Sequence, residues 1–209
     1  MRTTLLVSLS LLLAACPDPA KNKAKAVVEA PKEVPAAAAA PAALEGSTTY
    51  GFNNEGSKFT FVGAKVTGKH EGGFNAFNGK VVLKGKDLST AQISATITPA
   101  SVYSDSEKLT GHLQSPDFFD VEKFPEASFV STGVKAAGDA FEVTGNLTLH
   151  GVTKSITFPA KLALTDDTVT ARADFAINRK DFEIVYAGKA DDLIADNVAI
   201  GLDLNAKKQ

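Results

Sequence analysis

The feature that most restricts this chain is a two-residue period in its apolar side chains, repeated segment after segment from Ser57 onward. In "FEVTGNLTLHG", Phe141, Val143, Gly145, Leu147 and Leu149 fall on one face. Glu142, Thr144, Asn146, Thr148 and His150 fall on the other. "SKFTFVG" does the same with Phe59 and Phe61 against Lys58 and Thr60, and "AQISATITP" with Ile93, Ala95 and Ile97 against Ser94 and Thr96. "ITFPAKLAL" turns Ile156, Phe158, Ala160, Leu162 and Leu164 one way. "TVTARADFAI" does so with Val169, Ala171, Ala173, Phe175 and Ile177, and "NVAIGLDLNA" with Val198, Ile200, Leu202, Leu204 and Ala206. A period of two is that of an extended strand with one dry and one wet face. Strands of this kind do not form a parallel sheet covered by helices on both sides. They must hide their apolar faces against one another, in a sandwich or in a closed antiparallel barrel, and the periodicity alone admits both.

One region breaks the period. "SDSEKLTGHLQS", residues 104–115, carries a helix start, with Ser104 or Asp105 placed to cap and Glu107 following, and Leu109 and Leu113 share a face. Gly111 limits this helix to a short one. "SPDFFDVEKFP" follows and sets Phe118 and Phe119 in a proline-bounded connection. Such costly side chains fit a segment that lies across a barrel end or sheet edge and plugs it.

Three blocks in order resemble a known family. "GHLQSPDFFDVEKFPEASFVST", "FEVTGNLTLHGVTKSITFP" and "INRKDFEIVYAGKADDLIADNVAIGLDLNA" are similar to successive blocks of the YceI-like proteins, and "SKFTFVGAKVTGKHEGGF" is similar in layout. The resemblance implies an all-β fold, a lipocalin-like antiparallel barrel of about eight strands with a short helical segment near one end. It also implies an elongated apolar cavity linked to polyisoprenoid or quinone-like lipids. The departures are Gly56 where the family has a histidine, Lys108 and Leu109 ahead of the "HL" pair, Glu183 where a glycine is usual, and no tryptophan.

On that fold, Phe59, Phe61, Ile97, Phe141, Val143, Phe158, Phe175 and Ile200 are the expected lipid-binding wall, with Phe118 and Phe119 as the barrel-end plug. Small inward residues (Ala95, Gly145, Ala160, Ala171, Ala173) leave room for an oily chain. His112 and Arg179 are the candidate headgroup contacts; for the cluster Arg179, Lys180 and Asp181 the alternative is a structural turn held by Asp181. The three histidines, His70 in a glycine-rich loop, His112 and His150, are too far apart in sequence to read as a zinc site, so no metal is expected. The acidic stretch "KADDLIADN" lacks the ordered positions of a calcium loop and reads as a solvated face with Leu193 and Ile194 tucked in. Neither a GxSxG elbow nor an HExxH motif occurs, so a catalytic role is not expected, and neither is a cofactor beyond a non-covalently bound lipid.

Residues 1–46 read differently. Arg2 followed by "LLVSLSLLLAA" is too short to span a bilayer and reads as an export signal over residues 1–15. It ends in "LAAC", which resembles a lipobox, so Cys16, the one cysteine of the chain, is the expected lipid anchor. Pro17 in place of an aspartate favours the outer membrane, facing the periplasm. "PDPAKNKAKAVVEAPKEVPAAAAAPAALEG" is rich in Ala, Pro, Lys and Glu and free of aromatics, so residues 16–46 are expected to be a flexible tether, and residues 47–209 the barrel. A net charge of −2 with no basic block in the domain argues against nucleic acid. The expected partners are an isoprenoid or similar lipid and, through the anchor, the membrane; whether two copies pair as a homodimer is left open. The competing class is an envelope adaptor with a filled barrel that binds a protein through its outer surface. Inward side-chain size is the feature that separates the two.

Overall fold

The computed structural model describes residues 18–34 and 46–209. The export signal, Cys16 and part of the Ala/Pro-rich stretch therefore lie outside the described residues. In chain order the strands are β1 (Ala24–Lys25), β2 (Val27–Glu29), β3 (Ser47–Asn53), β4 (Lys58–Lys65), β5 (Gly68–Phe74), β6 (Phe77–Lys84), β7 (Gln92–Ile97) and β8 (Val102–Ser104). The helix α1 (Glu107–Gln114) comes next, then β9 (Ala127–Ala137), β10 (Ala140–Leu149), β11 (Val152–Leu164) and β12 (Thr168–Asn178). A hairpin of β13 (Gly188–Lys189) and β14 (Asp192–Leu193) and the long β15 (Asn197–Lys208) complete the chain.

Eight strands close into an antiparallel barrel, in the order β3-β6-β7-β9-β10-β11-β12-β15 and back to β3. Closure decides between the two arrangements the periodicity allows. The final strand makes the closure. β15 pairs with β12 along its whole length, with β3 at Lys207 and Lys208, and with β4 from Ala199 to Asp203. Thus β4, β5 and β8 extend the wall at one end, where α1 and the segment after it lie.

Local chemistry sets the connections. β10 and β11 are joined through His150 and Gly151, both at positive φ (52° and 74°), the mirror-image turn whose twist matches a two-residue hairpin. Strand β9 is not obvious from the periodicity, because its register against β10 skips Thr132 between Gly133 and Ser131, which moves the inward set from Phe129 and Ser131 to Val134. "GKHEGGF", expected to be a glycine-rich loop around His70, is strand β5. Helix α1 starts later than its sequence signature indicates. Ser106 accepts from the Leu109 amide as the N-cap. Ser104 and Asp105 are committed elsewhere: the Ser104 hydroxyl bonds the backbone of Ser106, and the Asp105 carboxylate takes the Glu71 amide and His70 Nδ1.

The largest departure from the sequence reading is in the stretch expected to be a tether. β11 and β12 pair only where Lys161–Leu164 meet Val169–Arg172. Beyond that they diverge, and residues 24–29 lie between them. Ala24 and Lys25 run parallel to Phe175 and Ala176 of β12, while Val27, Val28 and Glu29 run antiparallel to Thr157, Ile156 and Ser155 of β11. A strand placed between two antiparallel neighbours must be parallel to one of them, which is what occurs. The backbone groups exposed by the divergence need partners, and this low-complexity segment supplies them.

Candidate functional site

The barrel is hollow. A cavity of about 470 Å³ runs through it, within the range of about 300–1,000 Å³ usual for ligand sites. Its wall is built from alternate residues of almost every strand. Of the eight residues expected to form the wall, Phe59, Phe61, Ile97, Val143, Phe158, Phe175 and Ile200 line the cavity. Phe141 does not. It sits at the start of β10 opposite Ala160 and packs half-buried against the core. Ala95, Ala160, Ala171 and Ala173 line the space, as small inward residues should. Gly145 does not, because the ring of Phe129 lies over it and fills the volume a side chain would take. Aromatic residues that the sequence reading did not assign to the wall, Phe52, Phe74, Phe77 and Phe129, belong to it. The polar start of β3, Ser47–Thr49, hid Phe52, and the register skip in β9 hid Phe129. Phe74 and Phe77 were hidden by the glycines of β5 and the tight connection to β6.

Rings within the wall pack on each other. Phe158 and Phe175 stack at 4.3 Å, and Phe74 meets Phe59 at 5.2 Å and Phe119 at 5.5 Å edge to face. Phe118 is buried and Phe119 half-buried, and both form part of the cavity wall beside α1. Their segment is fixed by backbone bonds from the Phe118 amide to the Ser115 carbonyl and from the Phe119 amide to the Leu113 carbonyl, each 3.0 Å.

The two ends differ in chemistry. At one, Phe52, Ile93, Leu162, Ala171 and Leu204 line the cavity and also border a second void of about 30 Å³ that Val81, Leu88, Ala91, Val169 and Ala206 complete. Every one of these residues is apolar. At the other, Lys65, His70, His112, Arg179, Lys189 and Asp192 line the cavity. His112 Nε2 meets Asp117 at 2.8 Å, and its ring stands edge-on to Phe118 at 4.9 Å and Tyr186 at 5.0 Å. His70 Nδ1 meets Asp105 at 2.8 Å. Asp105 is held below the ordinary aspartate range by the Glu71 amide first and His70 second. Asp192 accepts from Lys65 Nζ at 2.5 Å and from the amide and hydroxyl of Thr67 at 3.1 and 2.8 Å, and these bonds, Lys65 foremost, hold its carboxyl low as well.

Arg179 is 4% exposed, and its donors are spent on the backbone. Nη1 donates to the Ile184 carbonyl at 2.7 Å, Nε to Ala195 at 3.1 Å and Nη2 to Ile194 at 3.4 Å. Burial lowers its pKa, and Asp196, 3.8 Å from Nη2, works against that. The partner acid is therefore Asp196, which also pairs with Lys180 at 2.8 Å, and not Asp181. Glu183 follows at φ 59°, ψ 19°, the left-handed conformation that explains the glycine usual there. In the acidic stretch Ile194 faces the cavity, but Leu193 is 50% exposed rather than tucked in. His150 lies apart from the other two histidines, 3.3 Å from the Phe182 carbonyl and edge-on to Phe124. Among the described residues no group of three metal-ligating side chains converges.

A family model for the YceI-like domain matches residues 50–206. The chain belongs to the YceI-like family. Protein YceI of Salmonella arizonae and that of Salmonella paratyphi B are each 41% identical to it over 119 residues, which are 54% of this chain and 62% of the relative. The chain thus spans about three fifths of the length of these curated relatives. Among solved structures, Burkholderia cenocepacia BcnA is 26% identical with a TM-score of 0.68, over 74% of this chain and 99% of that one. A polyisoprenoid binding domain from Saccharophagus degradans shares the fold at 17% identity and a TM-score of 0.63, over 77% of this chain and 98% of that one. The lipocalin-like barrel expected from the three sequence blocks is the fold of this family.

Proposed function

We propose that this YceI-like protein binds one long isoprenoid or quinone-like lipid without chemical conversion, the tail inside the barrel and the headgroup at the end lined by Lys65, His112, Lys189 and Asp192. The observation that carries this is the cavity itself, about 470 Å³ and apolar except at one end. A hydrocarbon chain needs a dry, elongated space, gains about 0.8 kcal/mol per methylene buried, and needs polar partners only where its headgroup ends. The name of the Saccharophagus degradans domain, a polyisoprenoid binding domain of the same fold, supports the ligand class. An adaptor with a solid barrel fits less well, because the side chains of this barrel leave its centre open. The protein works in the bacterial cell envelope, secreted by residues 1–15 and anchored through Cys16 to the outer membrane on its periplasmic side. Purification from envelopes under native conditions, followed by mass spectrometry of the organic extract, tests the reading. It expects a prenyl lipid at near-equal molar amount; repeated absence, with no saturable uptake of an added prenyl lipid, would remove it.

A further inference from the structure

In a closed barrel a lipid must thread in from an end unless the wall can part. In this wall β11 and β12 separate over most of their length. Along β11 from Val152 to Pro159 and along β12 from Ala173 to Asn178 the two strands do not pair with each other. The inward residues of that stretch, Ile156, Phe158, Phe175 and Ile177, are cavity wall. The stacked rings of Phe158 and Phe175 meet across the gap on the inside, and residues 24–29 fill it on the backbone level, with Ala26 and Val28 packed against the core. We propose that the divergence between β11 and β12 is a lateral port for the lipid chain, closed by this segment as a displaceable strap. The proposal rests on the lipid-binding reading above.

The strap is attached as a detachable piece should be. It is not continuous with either neighbour in sequence, since residues 35–45 separate it from β3. Its pairing is short: two residues on β12 and three on β11, with one further bond from the Ala26 amide to the Ala176 carbonyl at 2.8 Å. Its inward side chains are small. Ala26 and Val28 pack against the core and are only half-buried, while Val27 is 57% exposed. Its firm points are at its ends. Ala20 is buried against Ala176 and Ala199 on the outer face. Lys23 pairs with Asp174. Asn146 exchanges two bonds with the Lys32 backbone, at 3.0 and 2.7 Å. A segment with so few buried apolar contacts opens locally at far less cost than the barrel unfolds. Ser155, opposite Glu29, is buried with its hydroxyl unpartnered among the described residues, a polar group that opening the strap would return to water.

The port also has an orientation. Ala20 is four residues from Cys16, a span of at most about 14 Å. If Cys16 carries the anchor, the strap starts close to the membrane and the port lies beside the bilayer, not at the end of a long tether. Lys21 and Lys25, both exposed, lie in the same stretch, with the sign that anionic lipid attracts.

The test locks the strap. In full-length protein carrying Cys16→Ser, Val27→Cys and Thr157→Cys place thiols at register partners on the outer face, away from the cavity. The probe is pyrene-labelled geranylgeraniol, passed between protein and neutral vesicles, with disulfide formation checked by mass. Oxidation is expected to slow both uptake and release at least tenfold, to leave lipid loaded beforehand in place, and to be reversed by dithiothreitol. Ala20→Glu, which unseats the strap's start without touching the cavity, should speed exchange several-fold. Equal rates in the oxidised and reduced forms, with the disulfide formed, would overturn the port while leaving lipid binding intact. Absence of uptake by the reduced protein and by Ala20→Glu alike would overturn the lipid reading, and the port with it.

Discussion

Replacing Arg179 by methionine separates two roles that its position allows, a strut inside the protein or a hand extended to a ligand. Methionine keeps the apolar stem and most of the volume, so the change removes the guanidinium and little else. Three carbonyls then lose a donor: Ile184, whose bond to Nη1 is fully buried, and Ala195 and Ile194, whose bonds are partly so. A buried carbonyl left unpaired costs about 1–3 kcal/mol, and one that water can reach costs much less. The Ile184 carbonyl should bear most of that, with smaller losses at the other two. Against this stands the relief of no longer burying a charge, whose burial already depresses the Arg179 pKa. With the smaller losses at the other two offset by that relief, the balance is a loss of about 1–3 kcal/mol. For a domain of this size that lowers Tm by roughly 2–12 °C. Urea unfolding of the wild type and of Arg179→Met gives the energy, and amide exchange over residues 184–196 gives the place. A change below about 0.5 kcal/mol, accompanied by lost binding of a prenyl lipid, would refute the strut and assign Arg179 to the headgroup.

Three further outcomes are expected. Gly145→Ala puts a Cβ into the ring of Phe129 and 2.7 Å from the Val130 carbonyl, which the sheet holds fixed, so it should cost about 1–3 kcal/mol in denaturant unfolding and push the ring toward the cavity; unchanged stability would mean that the ring is free to swing. Glu183→Gly relieves a left-handed residue and should raise stability by about 1 kcal/mol, and a loss measured by the same assay would contradict the strain. Asp192 has a lowered folded-state pKa, so its stabilisation of the β13–β14 hairpin is complete above the ordinary aspartate value of about 3.9 and is lost as pH falls through the lower, folded value. Amide exchange over residues 188–195 should therefore rise below about pH 4 in the wild type and show no such step in Asp192→Asn.

Much of the barrel could be read directly from the chain. The alternation along the strands sets which residues face inward, and seven of the eight expected wall residues line the cavity, while Phe141 shares the inward face and packs against the core instead. Where the period is interrupted, the inward face is not legible in the chain. The register skip at Thr132 hid Phe129, the glycines of β5 made a strand look like a loop, and the helix cap moved to Ser106 once Ser104 and Asp105 took other partners. Gly145 looked like open space because a sequence does not show the ring of Phe129 crossing from the next strand. The role of Arg179 rests on three carbonyl partners from residues up to sixteen positions away, which no local pattern encodes.

Alternating apolar residues, with costs that are local and repeated at every strand, were enough by themselves to require one-sided antiparallel strands and an apolar interior. Whether that interior closes into a ring, and whether it stays hollow, was decided by contacts between residues far apart in the chain: β15 bridging β12 to β3, and rings from separate strands propping one another apart. The strap is the extreme case. Nothing in "KNKAKAVVEA" distinguishes it from a solvated linker, because its order comes from unpaired edges of β11 and β12 more than a hundred residues later, which no local pattern encodes.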